Sequence, residues 1–555
     1  MDYRKQYEHW LTSEYLTEED RQVLSAMSDD EVYEAFYRNA EFGTAGMRGK
    51  MGMGTSRLNR YTIRMAAKGL AQLATEDFAK PSVVIAYDTR NNSRLFAEES
   101  ARVLAASGVR TYMFDMVSPV PLLSFAVRHL SCSAGIVITA SHNTKEYNGF
   151  KVYDETGCQM RPQAAARIAD AMEAMSDPLA VVAAEGDIRE IENIEIIGQS
   201  VAEAFLEAVG RCNGCDREEG TELKIVYTPI HGSGRDFVMK ALENAGFEDV
   251  TLVWEQSMFD GDFPTVAKPN PEDAGALKLA ADMALADRAD LVVGTDPDCD
   301  RIGVGVRVRK DGKPGLPGDA ESEIRFLSGN QTGALLVNYL SQKVRQRGQS
   351  PLSQKTMIMS LVTSQFGQVI AESNGLNVIK THTGFKFIGA VMNEMEAEGR
   401  EGEFLMGYEE SYGYLVGTHA RDKDGVSAAV AICRMAEHFR REGKTLADVL
   451  EELYEKHGRW SDRQENYVYE GADGEQTMKN IMAGLREKGA ELLPGTGVKY
   501  TDYLTGADGY EPANMLKYDY PDGSWIIVRP SGTEPKIKVY YCSPGELPSI
   551  GEKMA

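Results

Sequence analysis

Residues 82–143 read SVVIAYDTRNNSRLFAEESARVLAASGVRTYMFDMVSPVPLLSFAVRHLSCSAGIVITASHN, and the alternation within them sets the fold class. SVVIAY (Ser82–Tyr87), TYMFD (Thr111–Asp115) and AGIVIT (Ala134–Thr139) are apolar, β-branched runs with no solvated face, which predicts buried parallel strands. Between the first two lies a helical stretch, Arg94–Ser107, with Gly108 placed to stop it. Strand, helix, strand in this order implies right-handed βαβ units. The third strand runs directly into the polar turn TASHNTKEYNG. Ser141 is thereby presented beyond a strand's carboxyl end, where ligands gather in open α/β sheets. The spacing is not that of a hydrolase GxSxG elbow.

Outward from this stretch the alternation returns twice. A second cycle runs through ELKIVYTP, Asp236–Ala245, Val250–Trp254, Ala274–Ala286 and ADLVVGTD. A third starts near TGALLVNYL and continues through NVIKTHTG, GEFLMGY and the helix after Asp424-Gly425. The first forty residues read as acidic helices, with Ser28 and Glu31 spaced as a capping box. KDGKPGLPGD (Lys310–Asp319) marks either a domain boundary or a loop insertion. After about Arg459 the texture changes to polar segments with two strands, GSWIIVRP and PKIKVYYC, which suggests a smaller α+β domain. There is no low-complexity tract and no short-period repeat.

With 555 residues the chain is too long for one hydrophobic core. Its 43% hydrophobic and 26% charged fractions are those of an ordinary globular protein. Lys+Arg at 60 against Asp+Glu at 84 leaves a formal charge of -24, which argues against general nucleic-acid binding. A chain so acidic must build a local cationic pocket if its ligand is an anion. No stretch has the apolar length of a membrane helix, and the start lacks the apolar core of a signal peptide. Seven scattered cysteines suit a reduced, cytoplasmic protein. Cys212 and Cys215 form a single CxxC with no second pair at zinc spacing, so they read as ordinary thiols.

Four short segments carry chemistry. Ser141 in TASHN offers a nucleophilic hydroxyl, with His142 beside it and Lys151 in NGFKVY able to take a proton or neutralise an anion. GTDPDCDR (Gly294–Arg301) places Asp296, Asp298 and Asp300 after an apolar strand, where three carboxylates repel one another unless a cation sits among them. A calcium-loop register starting at Asp296 fails, because Arg301 stands at the glycine position and Arg307 at the glutamate position. So few ligands leave room for water or phosphate oxygen, which suits Mg²⁺. GYEES (Gly407–Ser411) alternates Glu409 and Ser411, a pair suited to adjacent sugar hydroxyls. RPSGTEP (Arg529–Pro535) combines Arg529, the hydroxyls of Ser531 and Thr533, and a Gly532 that lets backbone N–H groups turn inward, an anion cradle between two strands. Further cations stand in FGTAGMRG (Arg48), THTGFKFIG (Lys386) and THARDKDG (Arg421, Lys423).

In this order the segments resemble the α-D-phosphohexomutase superfamily, most closely its phosphoglucomutase branch, over nearly the whole chain. The resemblance implies a heart-shaped α/β molecule of four domains around a central cleft, three related mixed α/β domains and a C-terminal TBP-like α+β domain. The expected boundaries are 1–206, 207–326, 327–459 and 460–555. It also implies that Ser141 is phosphorylated in the working enzyme and that Asp296, Asp298 and Asp300 hold Mg²⁺ together with the Ser141 phosphate. Glu409 and Ser411 would read the sugar O3 and O4. Arg529, Ser531, Gly532 and Thr533 would hold phosphate. Arg48, His142, Lys151 and Lys386 would line the cleft, with Lys151 as general base. Thr383, Gly384, Arg421, Lys423 and Arg301 complete the expected substrate contacts.

The implied reaction interconverts glucose 1-phosphate and glucose 6-phosphate through glucose 1,6-bisphosphate, in a cytoplasmic monomer or dimer whose partner is the phosphosugar alone. Phosphomannomutase, phosphopentomutase and glucose-bisphosphate synthase are rivals within the class; GTAG and THTGFK resemble members acting on pentose phosphates. Outside it stand a phosphosugar phosphatase and a non-catalytic phosphosugar-binding protein, the latter opposed by the Asp triad and Lys151. Two departures are visible: Thr144 follows Asn143 where the superfamily often has Pro, and the end at Ala555 predicts a short or absent last helix.

Overall fold

A computed structural model describes residues 2–43, 46–175, 177–214, 220–348, 350–469, 472–492, 497–531 and 536–545. Gly532 and Thr533 of the expected cradle, Cys215, and the segment where a last helix was in question lie outside the described residues.

Four sheets organise the chain. The first contains β1 (Gly46–Lys50), β2 (Ser82–Tyr87), β3 (Arg110–Phe114), β4 (Ala134–Ile138), β5 (Tyr147–Asp154) and β6 (Ile194–Ile197), in the order β1-β5-β4-β2-β3-β6. The second contains β7 (Ile225–Thr228), β8 (Val250–Leu252), β9 (Leu291–Thr295), β10 (Ile302–Arg309) and β11 (Ser322–Leu327), ordered β11-β10-β9-β7-β8. The third contains β12 (Thr356–Ser360), β13 (Asn377–Thr381), β14 (Phe404–Glu409) and β15 (Gly413–Val416), ordered β13-β12-β14-β15. One unit therefore recurs: β5-β4-β2-β3, β10-β9-β7-β8 and β15-β14-β12-β13 have the same order.

The parallel strands expected from the apolar runs are present, since β2 pairs in parallel with β3 and β4, and β7 and β12 do the same in their sheets. The sheets are mixed, as the resemblance implies, because the fourth strand of each unit returns antiparallel. The loops before β5, β10 and β15 are too short for a parallel crossover, which takes a dozen or more residues. Each of those hairpin loops is one of the segments singled out above: TASHN, DPDCDR and EES. Each also turns through a non-glycine residue in the left-handed region, Ser141 (φ 53°), Cys299 (φ 55°) and Tyr412 (φ 66°). Such a conformation costs about 1–2 kcal/mol and persists only where surrounding contacts fix it.

The Gly/Pro-rich stretch Lys310–Asp319 joins β10 to β11 inside the second sheet, so it is a loop and not a boundary. The helix expected at Ala274–Ala286 runs Lys278–Asp287, and TGALLVNYL lies within the helix Gly329–Arg347, started by a Ser328/Gln331 capping box. Gly108 follows the helix Ser93–Ala106 at φ 78°. The Ser28/Glu31 capping box begins the helix Asp29–Phe36, which with Tyr3–Thr12 and Glu18–Ser25 buries Trp10, Phe36 and Tyr61 in a separate cluster.

One apolar core runs through the three α/β units, including Val137, Tyr227, Val293, Met357 and Tyr408. The fourth sheet, β16 (Trp460–Val468), β17 (Lys499–Asp502), β18 (Leu516–Asp519), β19 (Trp525–Pro530) and β20 (Lys536–Pro544), is antiparallel throughout in the order β16-β20-β19-β18-β17. With the helix Ala472–Lys488 it builds its own core around Met482, Leu516, Tyr518 and Ile526. RPSGTEP connects β19 to β20, whose last pair before the turn is Pro530 with Ile537.

Candidate active site

Three hairpin loops presented by one shared core converge. Ser141 is buried, and its Oγ donates to Asp296 Oδ2 at 2.8 Å while lying 3.1 Å from His142 Nδ1. The hydroxyl of the first loop and the carboxylates of the second thus meet directly. Thr139 ties the two further: its Oγ1 accepts the Ser141 N–H at 2.8 Å and donates to Asp298 Oδ2 at 3.1 Å.

The serine loop is framed by Arg90, which sequence reasoning passed over. Its guanidinium donates to the carbonyls of Ser141 (2.6 Å), Asn143 (2.5 Å), Thr144 (2.9 Å) and Tyr147 (3.1 Å) and lies 3.4 Å from Asp88 Oδ2. A buried guanidinium that binds four carbonyls in this way fixes a strained turn. Arg90 follows β2 at the same carboxyl edge that carries Ser141, the one signal that could have found it. Arg48 of β1 reaches Asn143 Oδ1 at 3.4 Å, so it borders this loop too.

In the second loop, oxygens of Asp296, Asp298 and Asp300 lie within 4.8 Å of one another, all three residues buried. Burial and the adjacent charges of Asp298 and Asp300 push the Asp296 carboxyl well above its usual range. Burial would raise Asp298 as well, but the Lys151 ammonium, 2.9 Å away, holds it below the ordinary value. Asp298 Oδ1 and Asp300 Oδ1 are buried with no hydrogen-bond partner among the described residues. Orphaned, mutually repelling hard oxygens are the donor set a small divalent cation satisfies. Lys151 also lies 3.7 Å from Asp300, and Lys423 3.1 Å from Asp300 and 3.2 Å from Asp422. The structure therefore sets Lys423 at the acidic loop. Arg301 pairs with Glu272 and has its Nε 3.8 Å from Asp300.

In the third loop, Glu409 Oε1 accepts the Gly384 N–H at 2.7 Å, joining GYEES to THTG. Ser411 follows in the turn, and the Tyr412 carbonyl accepts the Ile302 N–H at 3.0 Å, which holds the third loop against the second. Thr383 Oγ1 is buried without a hydrogen-bond partner among the described residues. Lys386 is buried, which lowers its ammonium below the ordinary value.

The fourth-sheet hairpin stands over these loops. Arg529 acts electrostatically on Lys386 and on Glu410, and Lys538 of β20 on Glu410 and on His142. The Ser531 N–H donates to the Lys536 carbonyl at 2.8 Å across the hairpin. Glu410 and Lys538 were both missed. Glu410, 3.2 Å from Ser360 Oγ, is pushed up to about 7 by burial and by Glu409. Lys538 is brought down to about 8 by burial and by Lys536, two residues back on the same strand. That i, i+2 pair of lysines in PKIKVYYC was legible as one face of a strand. Burial and the cations Arg301, Arg48, Lys268 and Lys538 drive His142 well below its usual value, so it is a neutral imidazole. These cations are the local positive pocket that the acidic chain requires.

Arg421 is a correction. Its guanidinium is enclosed by Glu396 Oε2 (2.5 Å), Asn393 Oδ1 (2.7 Å) and the Thr418 carbonyl (2.6 Å), with Glu401 at 3.7 Å. Those partners occupy its donors, and it joins the third unit to the first, where its own N–H donates to Ser124 Oγ at 2.8 Å.

Four consecutive segments match family descriptions: phosphoglucomutase/phosphomannomutase alpha/beta/alpha domain I over residues 39–178, domain II over 203–309, domain III over 328–457, and the C-terminal domain over 473–546. A phosphoglucomutase of Staphylococcus epidermidis is 35% identical over 525 residues, covering 92% of each chain. One from Staphylococcus aureus strain MRSA252 is 36% identical over 530 residues, covering 92% of this chain and 91% of that one. Among solved structures, parafusin (a phosphoglucomutase) from Paramecium in its open form superposes with a TM-score of 0.69 at 16% identity, covering 93% of both chains. A phosphoglucomutase/phosphomannomutase family protein from Burkholderia thailandensis gives 0.65 at 18% identity, covering 91% and 94%. At these identities the structural likeness speaks for the fold.

Proposed function

The chain belongs to the phosphoglucomutase/phosphomannomutase family, and from that premise we propose that it is a phosphoglucomutase, an isomerase that interconverts glucose 1-phosphate and glucose 6-phosphate through a phosphorylated Ser141 and bound glucose 1,6-bisphosphate. The observation that carries this reading is the 2.8 Å contact between Ser141 Oγ and Asp296. It joins a buried nucleophile to an acidic triad suited to a divalent ion. Asp296, Asp298 and Asp300, together with the phosphate on Ser141, would hold Mg²⁺. Bound there, Mg²⁺ would neutralise charge on the transferring group.

Every other part falls to the chain. Phosphorylated Ser141 gives its phosphoryl group to the free hydroxyl of the sugar monophosphate, so the P–Oγ bond breaks as the new P–O bond forms. We assign the hydroxyl proton to Lys151 Nζ, which takes it up as the neutral amine after the ammonium paired with Asp298 has released its own proton. The ammonium formed there is held by Asp298 at 2.9 Å and Asp300 at 3.7 Å. Neutral His142, with its proton on Nδ1, donates a hydrogen bond to Oγ without adding charge. Glu409 and Ser411 read sugar hydroxyls, backed by Thr383 and Gly384. Arg529, Ser531, Gly532, Thr533 and Lys538 hold the phosphate that is not reacting. The bisphosphate then turns over, and its second phosphate returns to Ser141. Binding at the distant cradle is thereby realised at the reacting end. Six of the seven cysteines are described as free thiols, which supports a reducing, cytoplasmic setting.

The deciding assay supplies glucose, mannose, ribose and deoxyribose 1-phosphates in turn, with Mg²⁺ and a trace of glucose 1,6-bisphosphate. Glucose 6-phosphate should form fastest, with no inorganic phosphate released. Phosphate release in place of isomerisation would make the protein a phosphatase, and a faster turnover of mannose or a pentose would reassign the substrate.

A further inference from the structure

Outside the phosphoryl-transfer machinery, the end of the helix Gln199–Cys212 meets the loop that leads into the helix Gly425–Arg441. There Cys212 Sγ lies 3.3 Å from His419 Nδ1, and His419 Nε2 lies 2.7 Å from Asp424 Oδ2. The carboxylate is held on both oxygens. Asp424 is fully buried, and its other oxygen caps the second helix by accepting the N–H groups of Val426 (2.8 Å) and Ser427 (3.0 Å). Sulfur, imidazole and carboxylate thus form a line fixed at its far end. With both ring nitrogens of His419 engaged, the cluster offers no open donor set for a metal ion. It is instead the arrangement that turns a thiol into a thiolate–imidazolium pair.

Access and surroundings agree with that chemistry. Among the described cysteines, Cys132, Cys158, Cys299, Cys433 and Cys542 are buried, whereas Cys212 is only partly buried. Gly417 closes one side of the sulfur: its backbone is in the left-handed region at φ 93°, and a Cβ there would overlap Cys212 Sγ. The guanidiniums of Arg347 and Arg434 gather at Gly214, two residues further along the chain. Burial raises the thiol and the negative end of its helix opposes a thiolate. The imidazole outweighs both, so that Cys212 sits below the ordinary thiol value. Burial likewise works against a charged His419, but Asp424 and the sulfur push it up to about 10.

We propose that Cys212 is a modification site, a reactive sulfur held by His419 and Asp424 that takes small electrophiles and is oxidised by hydrogen peroxide. In the oxidation the sulfur attacks one peroxide oxygen, the O–O bond breaks, and an S–OH bond forms. The departing hydroxide takes the His419 proton and leaves as water, so the sulfur loses two electrons and the peroxide gains them.

The test is alkylation of the intact protein with iodoacetamide across the neutral and alkaline range, read peptide by peptide, with fragment spectra separating Cys212 from Cys215. Near neutral pH, Cys212 should react at least about tenfold faster than Cys132 or Cys433, and its rate should stay nearly flat where an ordinary thiol slows about tenfold per pH unit. His419→Gln should slow Cys212 by about tenfold and restore the ordinary slope. Dilute hydrogen peroxide should place a dimedone-trapped sulfenic acid on Cys212. A Cys212 rate equal to that of the buried thiols, an ordinary slope in the unaltered protein, or a rate indifferent to His419→Gln would each overturn the assignment. The slope needs no variant, so it decides the matter even where His419→Gln fails to fold.

Discussion

At the scale of single residues the proposed chemistry turns on Ser141, held at φ 53° with its Oγ against Asp296. If that oxygen carries the phosphoryl group, its removal takes away the nucleophile that lies against Asp296, while Lys151 is engaged with Asp298. Ser141→Ala should cut turnover by at least about a thousandfold, as loss of a covalent nucleophile does; a rate within tenfold of the unaltered enzyme would reject the covalent route. Lys538 makes a pH prediction. Its ammonium is brought down to about 8 by burial and by Lys536, so it is charged below that value and neutral above it. A sugar phosphate is already a dianion there, its second ionisation lying near 6. The attraction is therefore lost as pH rises through about 8. KM for glucose 1-phosphate should climb several-fold between about pH 7 and 9, and Lys538→Met should flatten the rise while raising KM at the lower pH. A KM profile unchanged by the substitution would remove Lys538 from the phosphate site.

At the scale of elements, the hairpin after β4 works because Arg90 holds four of its carbonyls, and its loss leaves those acceptors and Asp88 buried without their partner. Breaking a buried pair from one side costs about 3–5 kcal/mol. Arg90→Met should thus loosen the loop: kcat should fall at least about tenfold, and amide exchange over residues 139–150 should accelerate while exchange in β12 and β14 stays unchanged. Uniform acceleration across all sheets would mean that Arg90 supports the fold generally. This element also shows what the sequence could and could not convey. Strands such as Ser82–Tyr87 and Leu291–Thr295 were legible because burial on both faces leaves a continuous apolar run. The antiparallel return of β5, β10 and β15 was less so, since partner direction depends on loop length and not on strand composition. The acidic triad could be read from its own repulsion. The frame of Arg90 could not, because it consists of backbone carbonyls, which every sequence has. Arg421 shows the converse error. A cation within THARDKDG has no direction in sequence, and the fold spends this one on Glu396 and the joint with the first unit.

For the whole molecule, three α/β units share one core while the fourth has its own and touches the third through a small cluster that includes Leu361, Val362, Tyr503 and Trp525. Arg529 stands on that separately built unit, yet it acts on Glu410 and Lys386 of the third. A chain of formal charge -24 repels a phosphosugar at long range, so the cations over the loops must do most of the holding. If one cradle serves whichever phosphate is idle, its loss cannot discriminate between substrates that differ only in which end reacts. Arg529→Ala should lower kcat/KM for glucose 1-phosphate and glucose 6-phosphate by the same factor, about ten- to a hundredfold, the range expected for charge-assisted hydrogen bonds to one phosphate. Measured in both directions with a shared bisphosphate primer, the two losses should agree within about threefold. An effect confined to one isomer would mean two phosphate sites in place of one, and the bound intermediate would then have no reason to turn around.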